Sequence, residues 1–314
     1  MMPLLGMPRV FEGFPLLSIR AIICTLGNML PIGQSKQNYG TRCFAPERMD
    51  IYMSDYAFQD KDVLRSRVDR EIDTRSTPSA GWTSAQKMTL ACRMLAAQGH
   101  WHGGLAGQIT SRGDEPGTIW TLPFGIGADE ARVSELILID EDINPLDGKS
   151  LPNPANRFHA WIYRHRPEVQ CIVHTHPPAV SALSMVGEPL VVAHMDATPF
   201  FDDCAYLPEW PGLPIGDDEG EIISAALGNK RAILLANHGL LTAGKSVEEA
   251  TVMAIWLEQV AALQLRARAI GPVNPVPADR ARESHDFLVK PKILELTFAY
   301  FARRALREAP DCLD

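Results

Sequence analysis

From Trp82 onward the apolar positions fall into two alternating periods. Thr83-Ser84-Ala85-Gln86 has the spacing of a helix capping box, and Met88, Ala91, Cys92, Leu95 and Ala96 follow at helical intervals until Gly99. Gly103 to Arg112 then reads as a glycine-rich turn entering a short strand, and a turn of that kind can hold a ligand against backbone N–H groups or simply open a hairpin. Trp120–Phe124 and Glu135–Asp140 are strand-like, with a turn at Asp147-Gly148. Arg157–Arg166 predicts a helix stopped by Pro167, and Cys171-Ile172-Val173 a strand that runs into His174 and His176. A short helix over Pro178–Met185 and a strand over Pro189–Met195 follow, and then a loop over Phe200–Gly216 rich in Pro, aromatic and acidic residues.

Glu219–Leu227 is a helix, and Ala232–Ala236 and Leu240–Ala243 are strands either side of His238. Ser246-Val247-Glu248-Glu249 opens a long helix with a second capping box, running to Gly271, where Pro272 to Pro277 break it. Phe287–Leu306 closes the chain as a helix interrupted near Pro291. Helices interleaved with short strands mean an α/β fold. Several connections are too short for a parallel crossover, so the sheet is mixed or antiparallel. The folded domain is placed at residues 82–314, with a C-terminal helical extension.

The chain upstream is different. Residues 49–81 are charged and Ser/Thr/Pro-containing, with no clear periodicity outside Asp62–Ile72, and read as a mobile lead-in arm. In residues 1–48 the basic side chains Arg9, Arg20, Lys36, Arg42 and Arg48 outnumber acids. The apolar run Phe14–Pro31 is too short and too broken for a membrane span. A mitochondrial-type presequence and an upstream extension with no structural role both fit. The second is favoured, because Met49 or Met53 could equally begin the functional chain.

Composition narrows the function. With 46% hydrophobic and 22% charged residues, the 314-residue chain can bury a substantial core. A net charge of −8 argues against nucleic-acid binding, and no run predicts membrane insertion. The cysteines Cys24, Cys43, Cys92, Cys171, Cys204 and Cys312 lie far apart, with no Cys-x-x-Cys pair. That pattern suits reduced thiols in a cytoplasmic setting.

The chemistry centres on Val173-His174-Thr175-His176-Pro177. Residues i and i+2 of a strand face the same side, so His174 and His176 can converge on one point. Neutral imidazole is the commonest protein ligand for a transition metal. A third candidate, His238 in Asn237-His238-Gly239, also follows a short apolar run. Isolated His-x-His pairs also occur as hydrogen-bonded surface histidines; the matching context of His238 favours metal.

These motifs carry a resemblance. Phe158-His159-Ala160-Trp161-Ile162-Tyr163, Arg166-Pro167-Glu168-Val169, Val173-His174-Thr175-His176-Pro177 and Ala236-Asn237-His238-Gly239-Leu240-Leu241-Thr242 occur in the order seen in the class II aldolase/adducin family, which the chain resembles over roughly Trp82 to Gly271. The resemblance implies an α/β/α sandwich around a central, mainly antiparallel sheet, and a homotetramer with active sites at subunit interfaces. It also implies one divalent metal ion (zinc, manganese or iron) held by His174, His176 and His238, and a small-molecule substrate.

The departures matter as much. The sugar-phosphate aldolases of this family carry Pro-Ser-Ser-Glu before the helix, with the Glu as metal ligand and acid/base. Here the segment is Pro152-Asn153-Pro154-Ala155-Asn156-Arg157, with Ala155 at the glutamate position and no acid in the segment. Turns that bind substrate phosphate in those aldolases are replaced by Ala106-Gly107-Gln108-Ile109-Thr110 and Leu122-Pro123-Phe124-Gly125. Phe124 cannot hydrogen-bond a phosphate.

Three imidazoles would leave the full charge of the ion and an open coordination position for a chelating acid. Decarboxylation and retro-aldol cleavage both pass through a metal-stabilised enolate, and decarboxylation needs no base to begin. The leading expectation is a metal-dependent carbon–carbon lyase, a decarboxylase of a hydroxylated or 2-oxo acid. Phe124, Phe200, Phe201, Tyr206 and Trp210 would suit an aromatic substrate, or simply fill core. The alternatives are a non-haem Fe(II) oxygenase, an aldolase on a non-phosphorylated substrate, and a non-catalytic member like adducin. Retention of all three histidines argues against the last.

His194 and Asp196, read as sharing a strand face, are candidates for an acid/base pair or for orienting a ligand histidine, equally with a structural strand end. Arg112 is a candidate partner for a substrate carboxylate, or one half of a surface ion pair. His100 and His102 read as surface histidines, His159 as a buried hydrogen-bonded one, and Asp202-Asp203 as a solvated loop.

Overall fold

Among the residues described by the computed structural model, 60–314, seven strands form one sheet. They are β1 (Gln108–Arg112), β2 (Ile119–Thr121), β3 (Ile137–Ile139), β4 (Cys171–Thr175), β5 (Cys204–Leu207), β6 (Ala232–Leu235) and β7 (Leu240–Gly244). Their spatial order is β3-β2-β1-β4-β7-β6-β5, and only the edge pair β5–β6 is parallel. The helices are α1 (Lys61–Asp73), α2 (Ser84–Ala97), α3 (Asn156–His165), α4 (Pro178–Met185), α5 (Asp217–Leu227), α6 (Val247–Arg268), α7 (Ala278–Leu288) and α8 (Pro291–Glu308). The readings placed on residues 1–59, the extension and the start of the lead-in arm, lie outside the described residues.

Strand alternation sorts the core into two layers. Cys171, Val173, Leu234 and Leu240 pack with α2, α6 and α8 on one face; Ile172, Ile233 and Leu241 pack with α3 and α5 on the other. This is the α/β/α sandwich with a mainly antiparallel sheet predicted above. Central β4 is buried along its whole length. Each aliphatic side chain removed from water there contributes about 1.5–3 kcal/mol, so the strand that carries the histidines is well fixed.

The caps differ in how far they match the sequence. Thr83 and Gln86 form the full reciprocal box at the start of α2. At α6, Ser246 accepts from the Glu249 N–H, but the Glu249 carboxylate turns away to the Lys245 N–H and to Arg231. Arg231, just before β6, also binds Asp203, just before β5, so Asp203 is a largely buried ion-pair partner that Arg231 links to Glu249 of α6, and not a solvated loop residue.

Several elements depart from the pattern. Residues 189–195 form no strand. Their backbone bonds elsewhere: the Gln264 amide accepts from the Val191 N–H and donates to the Pro189 carbonyl, and the Val192 carbonyl accepts from the Val276 N–H. β5 lies inside the stretch read as a loop; it is a short parallel edge strand whose partner β6 is far away in sequence. The lead-in arm contains α1, which is ion-paired to the C-terminal helices through Lys61–Glu283 and Asp69–Lys290, and one compact unit runs from Lys61 to Asp314. At the C-terminus, Pro291 occupies the first turn of α8 and separates it from α7, so the expected interruption is a boundary between two helices.

Candidate metal centre

His174 is the fourth residue of β4 and lies on the α3 side of the sheet, edge-on to Phe158 at 5.1 Å between ring centroids. It is 2% exposed. Its Nδ1 lies 2.8 Å from the Leu240 carbonyl oxygen, which can only accept, so Nδ1 carries the proton and Nε2 presents a lone pair. Just beyond the strand end, His176 places its Nε2 at 3.0 Å from that of His174. The chain then turns through Pro177 into α4. There the Glu258 carboxylate of α6 accepts from the Ala179 and Val180 N–H groups, each at 2.8 Å. Glu258 thus caps α4 and fixes the chain immediately after His176.

His238 comes from the β6–β7 turn. Asn237 takes a left-handed conformation (φ 56°), which Asn tolerates better than most residues. Gly239 lets the turn press onto the end of β4: a Cβ there would lie 2.4 Å from the Thr175 carbonyl oxygen and 2.7 Å from Cδ2 of His176. The His238 ring centroid consequently lies 4.7 Å from that of His174 and 4.6 Å from that of His176.

One ring nitrogen from each histidine falls within 4.8 Å of the others, and no Asp or Glu among the described residues joins the group. All three imidazoles are held neutral. Burial, then the neighbouring His238 and His176, pushes His174 well below the usual range; burial lowers His176; burial and then His176 bring His238 to about 4. Two ligands of a tetrahedral zinc ion, each at about 2.0–2.1 Å, lie roughly 3.3 Å apart, near the observed His174–His176 separation. His174 Nε2 is fixed as an acceptor, and His176 Nε2 can meet it as an N–H donor or offer a second lone pair to an ion. The donor set therefore fits a divalent ion bound by three neutral nitrogens.

Ala155 stands at the N-cap of α3 with no side-chain cap. Its carbonyl accepts from the Gln108 amide at 3.0 Å, and Gln108 pairs directly with His174 across β1–β4. Ala155 is thus one hydrogen bond from a residue that flanks a candidate ligand.

The other candidates are not brought to this point. Arg112 is at the opposite end of β1 from Gln108, about 13 Å away at strand rise. Its guanidinium donates to the Val169 and Tyr163 carbonyls and stacks on the Tyr163 ring, which locks β1 to α3. His194 and Asp196 share no strand face, because that stretch is a loop entering a 3-10 turn capped by His194. The pair is exposed, beside Val260, Leu263 and Gln264 of α6. His100 is buried, not on the surface: its Nδ1 meets at 2.8 Å the hydroxyl of Thr175, the residue between His174 and His176. His159 is buried and bonded to the Thr110 hydroxyl at 2.8 Å, as read from the sequence. Sequence reasoning missed Glu258, since nothing local marks one glutamate on a long helix as the cap of another.

His100 and His159 make an acid-sensitive pair. Burial brings each to about 3, from an ordinary 6.5. Stability is then complete above pH 6.5 and lost as pH falls toward 3, because only the unfolded chain takes up the protons. The expected loss is on the order of 1 kcal/mol per histidine per pH unit. Denaturant unfolding of chelator-treated protein at pH 7 and pH 5 measures it. His100→Gln with His159→Gln should flatten the acid slope; an unchanged slope would refute this assignment.

Comparison with known proteins agrees with the geometry. The sequence profile of the Class II Aldolase and Adducin N-terminal domain matches residues 86–265. Over 196 residues the chain is 35% identical to a 4-hydroxy-3-prenylphenylpyruvate oxygenase/4-hydroxy-3-prenylbenzoate synthase of Streptomyces roseochromogenus subsp. oscitans, covering 62% of this chain and 71% of that one. It is 34% identical over 196 residues to Decarboxylase NovR of Streptomyces niveus, covering 62% and 73%. Among solved structures, the L-fuculose 1-phosphate aldolase from Glaciozyma antarctica PI12 superposes with a TM-score of 0.67 at 28% identity, covering 74% of this chain and 92% of that one.

Proposed function

This chain belongs to the class II aldolase and adducin family, and on that premise we propose that it is a metal-dependent carbon–carbon lyase, a decarboxylase of a 2-oxo or hydroxylated acid. The observation that carries this reading is a group of three neutral histidines that no carboxylate among the described residues joins, and the sequence reading that sets Ala155 at the position of the aldolases' acid/base supports it. A divalent ion held by His174, His176 and His238 would act as a Lewis acid on the oxo or ortho-hydroxyl oxygen of an acid whose departing carboxylate is β to it, so that the carbon–carbon bonding electrons flow to that oxygen as an enolate and are later taken up by a proton. Loss of carbon dioxide needs no base to start it, which suits a site lacking the glutamate. The protein's own part is to hold the ligands: Leu240 sets the His174 tautomer, Glu258 fixes the chain after His176, and Gly239 seats His238. A relative named a decarboxylase supports the reading.

A second reading, a non-haem Fe(II) oxygenase, is favoured by the relative whose name includes oxygenase. Oxygen uptake by anaerobically purified, iron-loaded protein on addition of aromatic 2-oxo acids separates the two. Uptake matching acid consumed would replace the lyase reading; acid consumed without uptake supports it.

Ala155→Glu tests the open site. A carboxylate near the ion would lower its Lewis acidity and occupy a position the substrate needs. Native turnover should fall at least ~10-fold, about 1.4 kcal/mol of transition-state stabilisation, while metal content holds or rises. Sugar-phosphate cleavage should not appear. Intact turnover would show that Ala155 does not face the ion.

The assembly proposed is a homotetramer with sites at subunit interfaces. Met185, Val186, Trp210 and Leu213 are exposed apolar residues suited to such burial, and the exposed His194–Asp196 pair is then available to a neighbouring site. Light scattering at micromolar concentration should report the tetramer; a monomer would contradict it.

A further inference from the structure

The strand that carries two of the histidines is also gripped from the face opposite His174. Helix α2 ends on Gly99, whose φ of 81° glycine adopts without strain. The Gly99 N–H bonds the Ala96 carbonyl and the His100 N–H bonds the Leu95 carbonyl, a Schellman closure that folds the chain back over the helix end. His100 is thereby carried inward and is 1% exposed. Its Nδ1 lies 2.8 Å from the hydroxyl of Thr175, the fully buried last residue of β4.

Thr175 sits between two candidate ligands and points away from His174. Alternation along β4 puts its side chain on the side of Cys171 and Val173, toward α2, α6 and α8, while His174 faces α3. The two ligands are unequally held. The Leu240 carbonyl fixes the His174 ring. The His176 ring has no such partner: apart from its approach to His174, it makes no hydrogen bond among the described residues. Its direction therefore comes from the backbone on either side. Downstream, Glu258 caps α4 and holds the chain after Pro177. Upstream, the strand ends on Thr175, and His100 grips that side chain.

As mere core filling, His100 is a poor choice. Its Nε2 is buried and has no hydrogen-bond partner among the described residues. An orphan nitrogen of that kind destabilises a fold relative to an apolar side chain of similar volume. The ring's one polar attachment is the Thr175 hydroxyl, so what the imidazole adds beyond bulk passes through that bond.

We infer that His100 is a positioning residue for the metal centre: it holds Thr175 through one hydrogen bond and so sets the angle at which His176 leaves β4. This role rests on the three-histidine reading of the site and adds to it a residue that reaches the ligands through Thr175.

Zinc affinity of the full chain, by competition with a chromophoric chelator, tests the role alongside melting of the metal-free protein. His100→Leu keeps the bulk and removes the bond; Thr175→Val removes the hydroxyl at nearly constant shape. Each should weaken zinc binding at least ~10-fold, as expected for partners that orient a ligand. The double variant should bind no more weakly than the weaker single, because both substitutions remove the same bond. His100→Asn, whose amide can reach the Nδ1 position, should recover most of the affinity. Its cobalt-loaded form should show the parent's visible absorption bands, and that of His100→Leu should be shifted. Metal-free His100→Leu should melt no lower than the metal-free parent, so that affinity and stability separate. If His100→Leu does not fold, Thr175→Val against Thr175→Ser, which keeps the hydroxyl, decides the matter in the same way. Parental zinc affinity in either single variant, losses that multiply in the double variant, or an affinity that merely follows melting temperature would overturn the role of His100 and leave the triad standing. A parent chain that binds no zinc would overturn the three-histidine site and this role with it.

Discussion

His238→Ala is expected to strip the protein of its divalent ion and to lower turnover at least ~100-fold while the fold survives. In the proposed site the ion would have three nitrogen donors and, among the described residues, no carboxylate to fall back on. Loss of partners that merely orient a ligand typically costs 10–100-fold in metal affinity or activity, and here a ligand itself is removed. The side chain is only partly buried, so truncation leaves no large cavity. Melting of the chelator-treated variant should stay within a few degrees of the chelator-treated parent. Full metal content in His238→Ala, by elemental analysis after dialysis, would refute the three-histidine site.

Gly239→Ala should produce nearly as large a defect without touching a ligand. The new methyl would stand 2.4 Å from the Thr175 carbonyl oxygen and 2.7 Å from the His176 ring, one of them backbone in the central strand. The turn must retreat by roughly 1 Å and take His238 with it, and misplacement on that scale can cost about 100-fold in rate. Overpacking adds about 1–3 kcal/mol of destabilisation. Gly81→Ala is the control, because a Cβ there meets nothing within 4 Å. If Gly239→Ala binds metal and turns over like Gly81→Ala, the close approach of the turn does not set the site.

Much of this site is legible because its determinants are local. Period-two alternation puts Ile172 and His174 on one face of β4, and Asn237-His238-Gly239 is turn chemistry between two apolar runs. What could not be read depends on partners distant in the chain. The valines after Pro189 look like a strand, yet their backbone is bonded to Gln264. Cys204–Leu207 becomes a strand only because β6 lies beside it. His100 looks like a surface histidine until Thr175 is seen to hold it. Arg112, apparently free to meet a substrate, has its donors engaged by the backbone of Tyr163 and Val169. Glu258 shows the same limit from the other side: its importance arises wholly from α4, far upstream.

The most direct test of the account is the carbon balance of the reaction without oxygen. Metal-loaded protein is incubated under argon with an ortho-hydroxy aromatic acid or a 2-oxo acid bearing a second carboxylate on C3, and the carbon dioxide released is compared with the acid consumed. The account predicts one carbon dioxide per acid, abolished by a chelator and restored by adding back the divalent ion. Consumption of acid only when oxygen is admitted, with matching oxygen uptake, would contradict it.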